Sequence, residues 1–379
     1  MEPKTYLENS SIISPIGWDT RENLNSVLQG RGGIKICKDR SLSPEELPAA
    51  LLDWDELGKR FLEVNGKENP KHYTRFEKAG ILSVYEALKN SVLDPADPEC
   101  IFILSTTKGN VELLDHPEGF EKERLFLWKS AEMIADFFGI KSTPVVVSNA
   151  CISGVAAMLL GRQMISSGRC SHAIVLGVDL LSGFIISGFQ SFLSLSKQAC
   201  RPFDSERDGL SLGEAAACVI LSRQNGGVEL LSGSTSNDAN HISGPSRTGE
   251  GLLLAIRSTL RRHEMPGLIS AHGTATPYND EMESIAITRA KLSEVPLNSL
   301  KGYFGHTLGA AGIVESIINL EAMKRGLLPA TLGLSSMGVS GKINVSNEIR
   351  TGKPDTLLKI ASGFGGCNAA ALFKLLPWN

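Results

Sequence analysis

Residues 151–167 read CISGVAAMLLGRQMISS, a helix pattern made almost wholly of small and apolar side chains and stopped by Gly168. A helix without a polar stripe has no face to give to water, so other elements must enclose it on all sides. Short apolar runs flank it: 144–147 (PVVV) leads into Ser148-Asn149-Ala150-Cys151, and 173–178 (AIVLGV) follows. Strand, turn, buried helix, strand is the pattern of an α/β fold whose sheets are covered. Upstream, 75–90 (RFEKAGILSVYEALKN) has the period of an amphipathic helix, and 100–104 (CIFIL) is a short apolar strand ending at the polar turn 105–109.

The arrangement recurs in 306–325 (HTLGAAGIVESIINLEAMKR), which again opens on a reactive side chain, passes through small residues into a long helix and stops at Gly326. Two such helices predict an internal duplication whose halves meet near 222–227 (SRQNGG), giving residues 1–224 and 225–379 as the two units. A chain of 379 residues with 42% hydrophobic and only 21% charged residues has ample interior for both. The formal charge, 38 − 41 = −3, gives no global pull toward nucleic acid or an anionic membrane. Seven scattered cysteines without a C-x-x-C read as neither a disulfide framework nor a zinc site, so a reducing cytoplasm and no metal are expected. No basic-then-apolar leader opens the chain, and the most apolar stretch, 173–193, is broken by Asp179, so neither a signal peptide nor a membrane span is expected.

Cys151 falls where a strand turns into a helix, and the partial positive charge of a helix N-terminus favours thiolate over thiol. The other six cysteines read as small buried hydrophobes. His272 lies in SAHGTATP, at a strand end entering a Gly-Thr loop; His306 lies in KGYFGH, at the start of the second buried helix. There the helix terminus disfavours imidazolium, leaving a neutral ring able to donate through Nε2. His72, His116, His172 and His263 read as structural. The charged motif RPFDSERDG with Glu214 reads as an ion-pair network organising a loop (Arg201, Asp204, Arg207, Asp208, Glu214), and His241 has no catalytic role.

Six motifs in order carry a resemblance: NACISG, RPFDSERDG, DANHISGP, AHGTATPYND, KGYFGHTLGAAG with Glu315, and GFGGCNA at 363–369. Together they resemble a β-ketoacyl-acyl carrier protein synthase of the thiolase superfamily, nearly end to end. The resemblance implies an α/β thiolase-like fold, with two duplicated halves in a layered αβαβα arrangement. It implies an acyltransferase performing decarboxylative Claisen condensation, with an acyl carrier protein as partner, a homodimer or a heterodimer with a related subunit, and no cofactor beyond the carrier's phosphopantetheine. Cys151 would be the nucleophile. The backbone N–H groups of Cys151 and Phe364 would bind one oxyanion, and His272 with His306 another. Lys301 paired with Glu315 would support the histidines. Thr274 and Thr276 would contact the phosphopantetheine arm, and Gly363, Gly365 and Gly366 would let the Phe364 loop turn tightly and gate the acyl pocket.

Lys108, in the turn expected to reach across a dimer to the acyl pocket, stands where fatty-acid enzymes of this family carry an apolar residue. A cation there disfavours a long saturated chain and points to a specialised polyene or polyketide-type pathway. Three rivals stand beside this reading: an inactive chain-length partner subunit, which would lack the nucleophile; a cysteine hydrolase, which needs a single oriented histidine; and a thiolase-type acyltransferase using a second cysteine, here Cys367, as base.

Overall fold

The computed structural model describes residues 3–65, 70–89, 91–117, 119–224 and 226–377. Five strands of the first half are Tyr6–Ile13 (β1), Cys100–Ser105 (β2), Val145–Val147 (β3), His172–Asp179 (β4) and Ala215–Ser222 (β5). They lie in the order β1-β5-β4-β2-β3, the first two pairings antiparallel and the last two parallel. The second half contributes Val228–Asn237 (β6), Leu268–Ser270 (β7), Pro296–Asn298 (β8), Asn344–Val345 (β9), Thr356–Gly363 (β10) and Cys367–Leu375 (β11). Its order β6-β11-β10-β7-β8 repeats the first half strand for strand and direction for direction, with β9 added at the edge. The duplication expected from the two helix patterns is thus present in the topology. Among the described residues, only Tyr6↔Glu229 and Leu7↔Val228 join the two sets into one 11-stranded sheet.

Helices occupy three layers around the two sets. Arg75–Leu88 (α1), opened by a capping box between Thr74 and Glu77, covers the outer face of the first set, where Phe76 and Ile81 meet Phe102, Ile174 and Leu176. Residue 90, which ends the expected helix, lies outside the described residues. Ser153–Ser166 (α2) lies in the middle layer. Glu250–Leu260 (α3) and Pro277–Arg289 (α4) cover the second set through Leu252, Ile256, Met282 and Ile287. Ala311–Lys324 (α5) shares the middle layer with α2, where Val155, Met158, Ile313 and Ile317 pack with Val175, Val219, Leu357 and Ala371. Successive residues of β4 alternate between the middle and outer clusters, which is why AIVLGV is apolar throughout. No helix among the described residues is long and apolar enough to cross a membrane.

The small residues of the two middle helices have a geometric cause. A Cβ on Gly154 would lie 2.8 Å from the Gly309 carbonyl oxygen, and one on Gly312 would lie 2.9 Å from the Val155 nitrogen. The helices therefore begin backbone against backbone. They also begin later than the sequence pattern suggests. The first α-helical residue after Cys151 is Ser153, and a 3₁₀ turn, Leu308–Ala310, separates His306 from α5. Cys151 and His306 instead sit in isolated β-bridges, with Asn149 and Leu212 respectively.

This packing yields a stability prediction. Gly154→Val forces atoms into the shared helix contact and should cost about 1–3 kcal/mol in urea unfolding. Gly58→Ala, whose new Cβ meets nothing within 4 Å inside a helix, should be neutral or slightly stabilising. Equal midpoints for wild type and Gly154→Val would contradict the close approach.

Candidate active site

Cys151 is presented by a strained turn. Ala150 takes φ +46°, a left-handed conformation that costs a non-glycine residue on the order of 1–3 kcal/mol. Ser153 holds the turn closed: its Oγ accepts the Asn149 N–H at 2.7 Å and donates to the Ala150 carbonyl at 2.6 Å. The Phe364 backbone N–H faces the sulfur and weakly favours its charged form. Burial pushes the Cys151 thiol up to about 12, against the opposing pull of the Lys301 ammonium. This corrects the expectation of a resting thiolate: the helix starts two residues later, and desolvation of the charged form outweighs its dipole.

His272 follows the end of β7. Its N–H and that of Gly273 donate to the two oxygens of Glu283, from α4, at 2.6 and 2.7 Å. The His306 N–H donates to the Ser211 carbonyl at 2.7 Å, and its own carbonyl accepts the Gly213 N–H at 3.1 Å. The two imidazoles meet edge to face, centroids 5.2 Å apart at 84°. Their ring nitrogens and the Cys151 sulfur lie within 4.8 Å of one another. Three such donors are spaced as metal ligands are; proton exchange between a thiol and imidazoles uses the same spacing, and no ligand role is assigned to them. Burial first, then the Lys301 charge, holds both histidines well below the ordinary imidazole value. His306 is therefore neutral as expected, but from burial and buried cations rather than from a helix terminus.

Lys301 donates to Glu315 at 2.5 Å and to the His272 carbonyl at 3.0 Å. The other Glu315 oxygen accepts from Lys359 on β10, a fully buried residue that sequence reasoning passed over. Its only signal was a lone cation inside the apolar strand TLLKIASG. Glu283 and Asp179 were likewise missed. Asp179 accepts from the Thr106 hydroxyl (2.8 Å), the Thr107 N–H (3.0 Å) and the Gly309 N–H (2.7 Å), tying the 105–109 turn to the start of α5, and burial raises it to about 6.

A cavity of about 420 Å³ opens over this cluster, lined by Cys151, His272, His306, Thr274, Thr276 and Phe364 among others. The two threonine hydroxyls lie 3.0 Å apart at its wall. A smaller cavity of about 140 Å³ reaches Cys151 from the other side, between Lys108, Ile185, Phe189 and Phe192. The Phe364 ring borders both, with centroids 5.5 Å from Phe189 and 5.1 Å from Phe192. Its loop turns through Gly365 (φ +83°) and Gly366 (φ +75°), and a Cβ on Gly363 would lie 3.1 Å from the Cys151 nitrogen. Lys108 lines the cavity of its own chain's Cys151, with its exposed ammonium 3.4 Å from the Thr107 carbonyl.

The charged motif organises its loop chiefly through backbone contacts rather than the expected ion-pair network. Asp204 accepts the N–H groups of Glu206, Ser335 and Ser336, and Glu214 those of Leu52 and Leu181. Arg201 pairs with Glu206 at 2.6 Å, whereas Arg207 stands 3.9 Å from Asp280. His241 borders the large cavity and accepts from the Ser243 and Gly244 N–H groups.

Two rivals lose ground here. A hydrolase needs a single oriented histidine, whereas two imidazoles meet at the Cys151 sulfur here. The Cys367 thiol donates to the Phe364 carbonyl at 3.3 Å and lines neither cavity, a poor place for a thiolase base.

Residues 10–226 match the family model "Beta-ketoacyl synthase, N-terminal domain", and 228–335 match "Beta-ketoacyl synthase, C-terminal domain". The chain belongs to the β-ketoacyl synthase family. It is 29% identical over 416 residues to the tetracenomycin polyketide synthase ketoacyl synthase alpha subunit of Streptomyces glaucescens, spanning 98% of this chain and 97% of that protein. It is 26% identical over 408 residues, 98% of each chain, to the 3-oxoacyl-[acyl-carrier-protein] synthase 2 of Coxiella burnetii. Among solved structures, the ketosynthase ApeO, in complex with its chain length factor ApeC, from Xenorhabdus doucetiae superposes with a TM-score of 0.88 at 25% identity, covering 99% of this chain and 98% of that one.

The raised thiol gives a pH prediction. With a pKa near 12, the thiolate fraction of Cys151 grows about tenfold per pH unit, so its alkylation by iodoacetamide, mapped on the Cys151 peptide, should keep rising from about pH 6 to about pH 9. A plateau already reached below pH 7 would contradict a protonated resting thiol.

Proposed function

We propose that this chain is a β-ketoacyl-acyl carrier protein synthase that extends an acyl thioester by decarboxylative condensation with a malonyl thioester. The observation that carries the reading is one cavity holding a buried thiol beside two neutral imidazoles. First the Cys151 sulfur attacks the acyl carbonyl carbon. The bond to the carrier's sulfur breaks, and the thiol proton passes by way of an imidazole to the departing pantetheine thiolate. The malonyl thioester then enters. Its C–C bond to the carboxylate breaks, carbon dioxide leaves and the electron pair becomes an enolate, whose oxygen is met by His272 and His306 N–H groups. The enolate carbon attacks the acyl-cysteine carbonyl, with the Cys151 and Phe364 N–H groups receiving the oxyanion; collapse expels the Cys151 sulfur as a thiolate, which takes up one proton from solvent to restore the resting thiol, and leaves a β-ketoacyl carrier. Losing one preorganised donor of this kind typically costs about 3–4 kcal/mol of barrier.

Every step is heterolytic and served by these side chains, so the proposal includes no resident cofactor. The substrates ride on the phosphopantetheine of an acyl carrier protein, for which Thr274 and Thr276 line the approach. All seven cysteines are free, in keeping with a cytoplasmic setting. The chain would act as a dimer, with itself or with a related subunit: β3 is the edge of the large sheet and offers three partly exposed valines. The presence of Cys151, His272 and His306 favours the active subunit over an inactive chain-length partner. Lys108 beside the small cavity favours a polyene or polyketide-type substrate over a long saturated chain.

The test is an acylation and decarboxylation assay with a panel of acyl and malonyl carrier proteins. Wild type should carry the acyl group on Cys151, Cys151→Ala should carry none, and His306→Ala should be acylated yet release carbon dioxide at least about a hundredfold more slowly. Lys108→Ile should improve extension of long saturated primers by about tenfold and leave short ones unchanged. Labelling that persists in Cys151→Ala, or His306→Ala that decarboxylates normally without being acylated, would reverse these assignments. A wild type that already prefers long saturated primers would remove the role given to Lys108.

A further inference from the structure

Lys359 takes no part in the steps above, yet it is among the largest fully buried side chains of the protein. Its ammonium reaches from β10 to the Glu315 carboxylate and donates to the carbonyls of Ala271 (3.0 Å) and Ser270 (3.3 Å). Lys301 takes the other Glu315 oxygen and the next carbonyl, that of His272. Three consecutive carbonyls leading to the catalytic imidazole are thus held by two ammonium groups that share one carboxylate. Glu315 neutralises only one of them. A lone Lys–Glu pair would satisfy that carboxylate, and burying a further cation is costly, so the second charge calls for an explanation beyond stability.

We propose that Lys359 is a positioning residue of the two-histidine site: it fixes the backbone that carries His272 and supplies the second buried positive charge that keeps His272 and His306 neutral and able to donate. The groups facing the histidines are few. Lys301, Lys359 and Glu315 lie on the β7 carbonyl side and Glu283 of α4 on the N–H side, while Cys151 stands across from both rings. The 211–213 segment meets His306 through backbone groups. Burial and the two ammonium charges together disfavour a proton on either ring, while Glu283, which accepts the His272 and Gly273 N–H groups, is itself pushed up by burial to about 7. Removing Lys359 therefore eases protonation, so the imidazoles gain a proton at a higher pH and the acid limb of decarboxylation moves up.

The idea deepens the condensation reading and rests on it only for the rate measurement. The test is histidine side-chain NMR titration of wild type, Lys359→Met and Lys359→Gln, alongside malonyl carrier protein decarboxylation against pH. Lys359→Gln retains a donor to the Ala271 carbonyl without the charge and guards against a Met variant that fails to fold. Wild type should show neither imidazole of the pair titrating in the ordinary imidazole range. Both variants should shift at least one of them upward by about one unit or more and move the acid limb of the rate by the same amount, while Lys359→Arg restores both. Folded variants with unchanged titration would overturn the proposal, whatever their rate. A shifted titration with no carbon dioxide released by any form would leave Lys359 its role and overturn the condensation reading instead.

Discussion

The contact of the first turn of α2 with the first turn of α5 and the 3₁₀ turn before it is the constraint on which the site depends. Gly154 faces the Gly309 carbonyl, and Gly312 faces the Val155 nitrogen, at distances that leave no room for a side chain. Because each helix is preceded by its own reactive residue, bringing the helices together brings Cys151 and His306 together. They come from opposite halves of a duplicated fold, in which the same strand order repeats. The strained Ala150 and the β-bridge at His306 do the final aiming, since both reactive residues stand just outside their helices.

Burial then sets the chemistry. Burial disfavours the charged forms of Cys151, His272 and His306 alike, so the resting site is a thiol beside two neutral imidazoles. That state suits a reaction in which negative charge appears only transiently, on thioester oxygens, and must be met by donors already in place. The Lys301–Glu315–Lys359 cluster adds positive charge behind those donors while anchoring the carbonyls beside them. Glu283 grips the other side of the same peptide through the His272 and Gly273 N–H groups.

Much of this was legible in the residues. The largely apolar middle helices, the duplication and the α/β class follow from periodicity and composition, because a helix with so little polar surface admits few placements. Cys151, His272, His306, Thr274 and Thr276, each marked by Gly-rich or Thr-rich turns, converge on a single cavity. Three kinds of feature stayed hidden. Lys359, Glu283 and Asp179 act through partners 44, 11 and 130 positions away in the chain, at Glu315, His272 and Gly309, and no local pattern announces such pairings. Ala150 carries a left-handed conformation that its side chain does not advertise. The ionisation of Cys151 was read from a helix terminus, whereas the depth of burial, invisible in one dimension, decides it.

The central claim is that the site joins two thioesters rather than hydrolysing one. It is tested most directly by following a single turnover by mass spectrometry, with the purified protein preloaded on Cys151 and then mixed with malonyl carrier protein. The acyl group should leave Cys151 and appear on the carrier lengthened by two carbons, with one carbon dioxide released per transfer. Release of the acyl group as a free acid, or transfer to a thiol with no loss of carbon dioxide, would contradict the account.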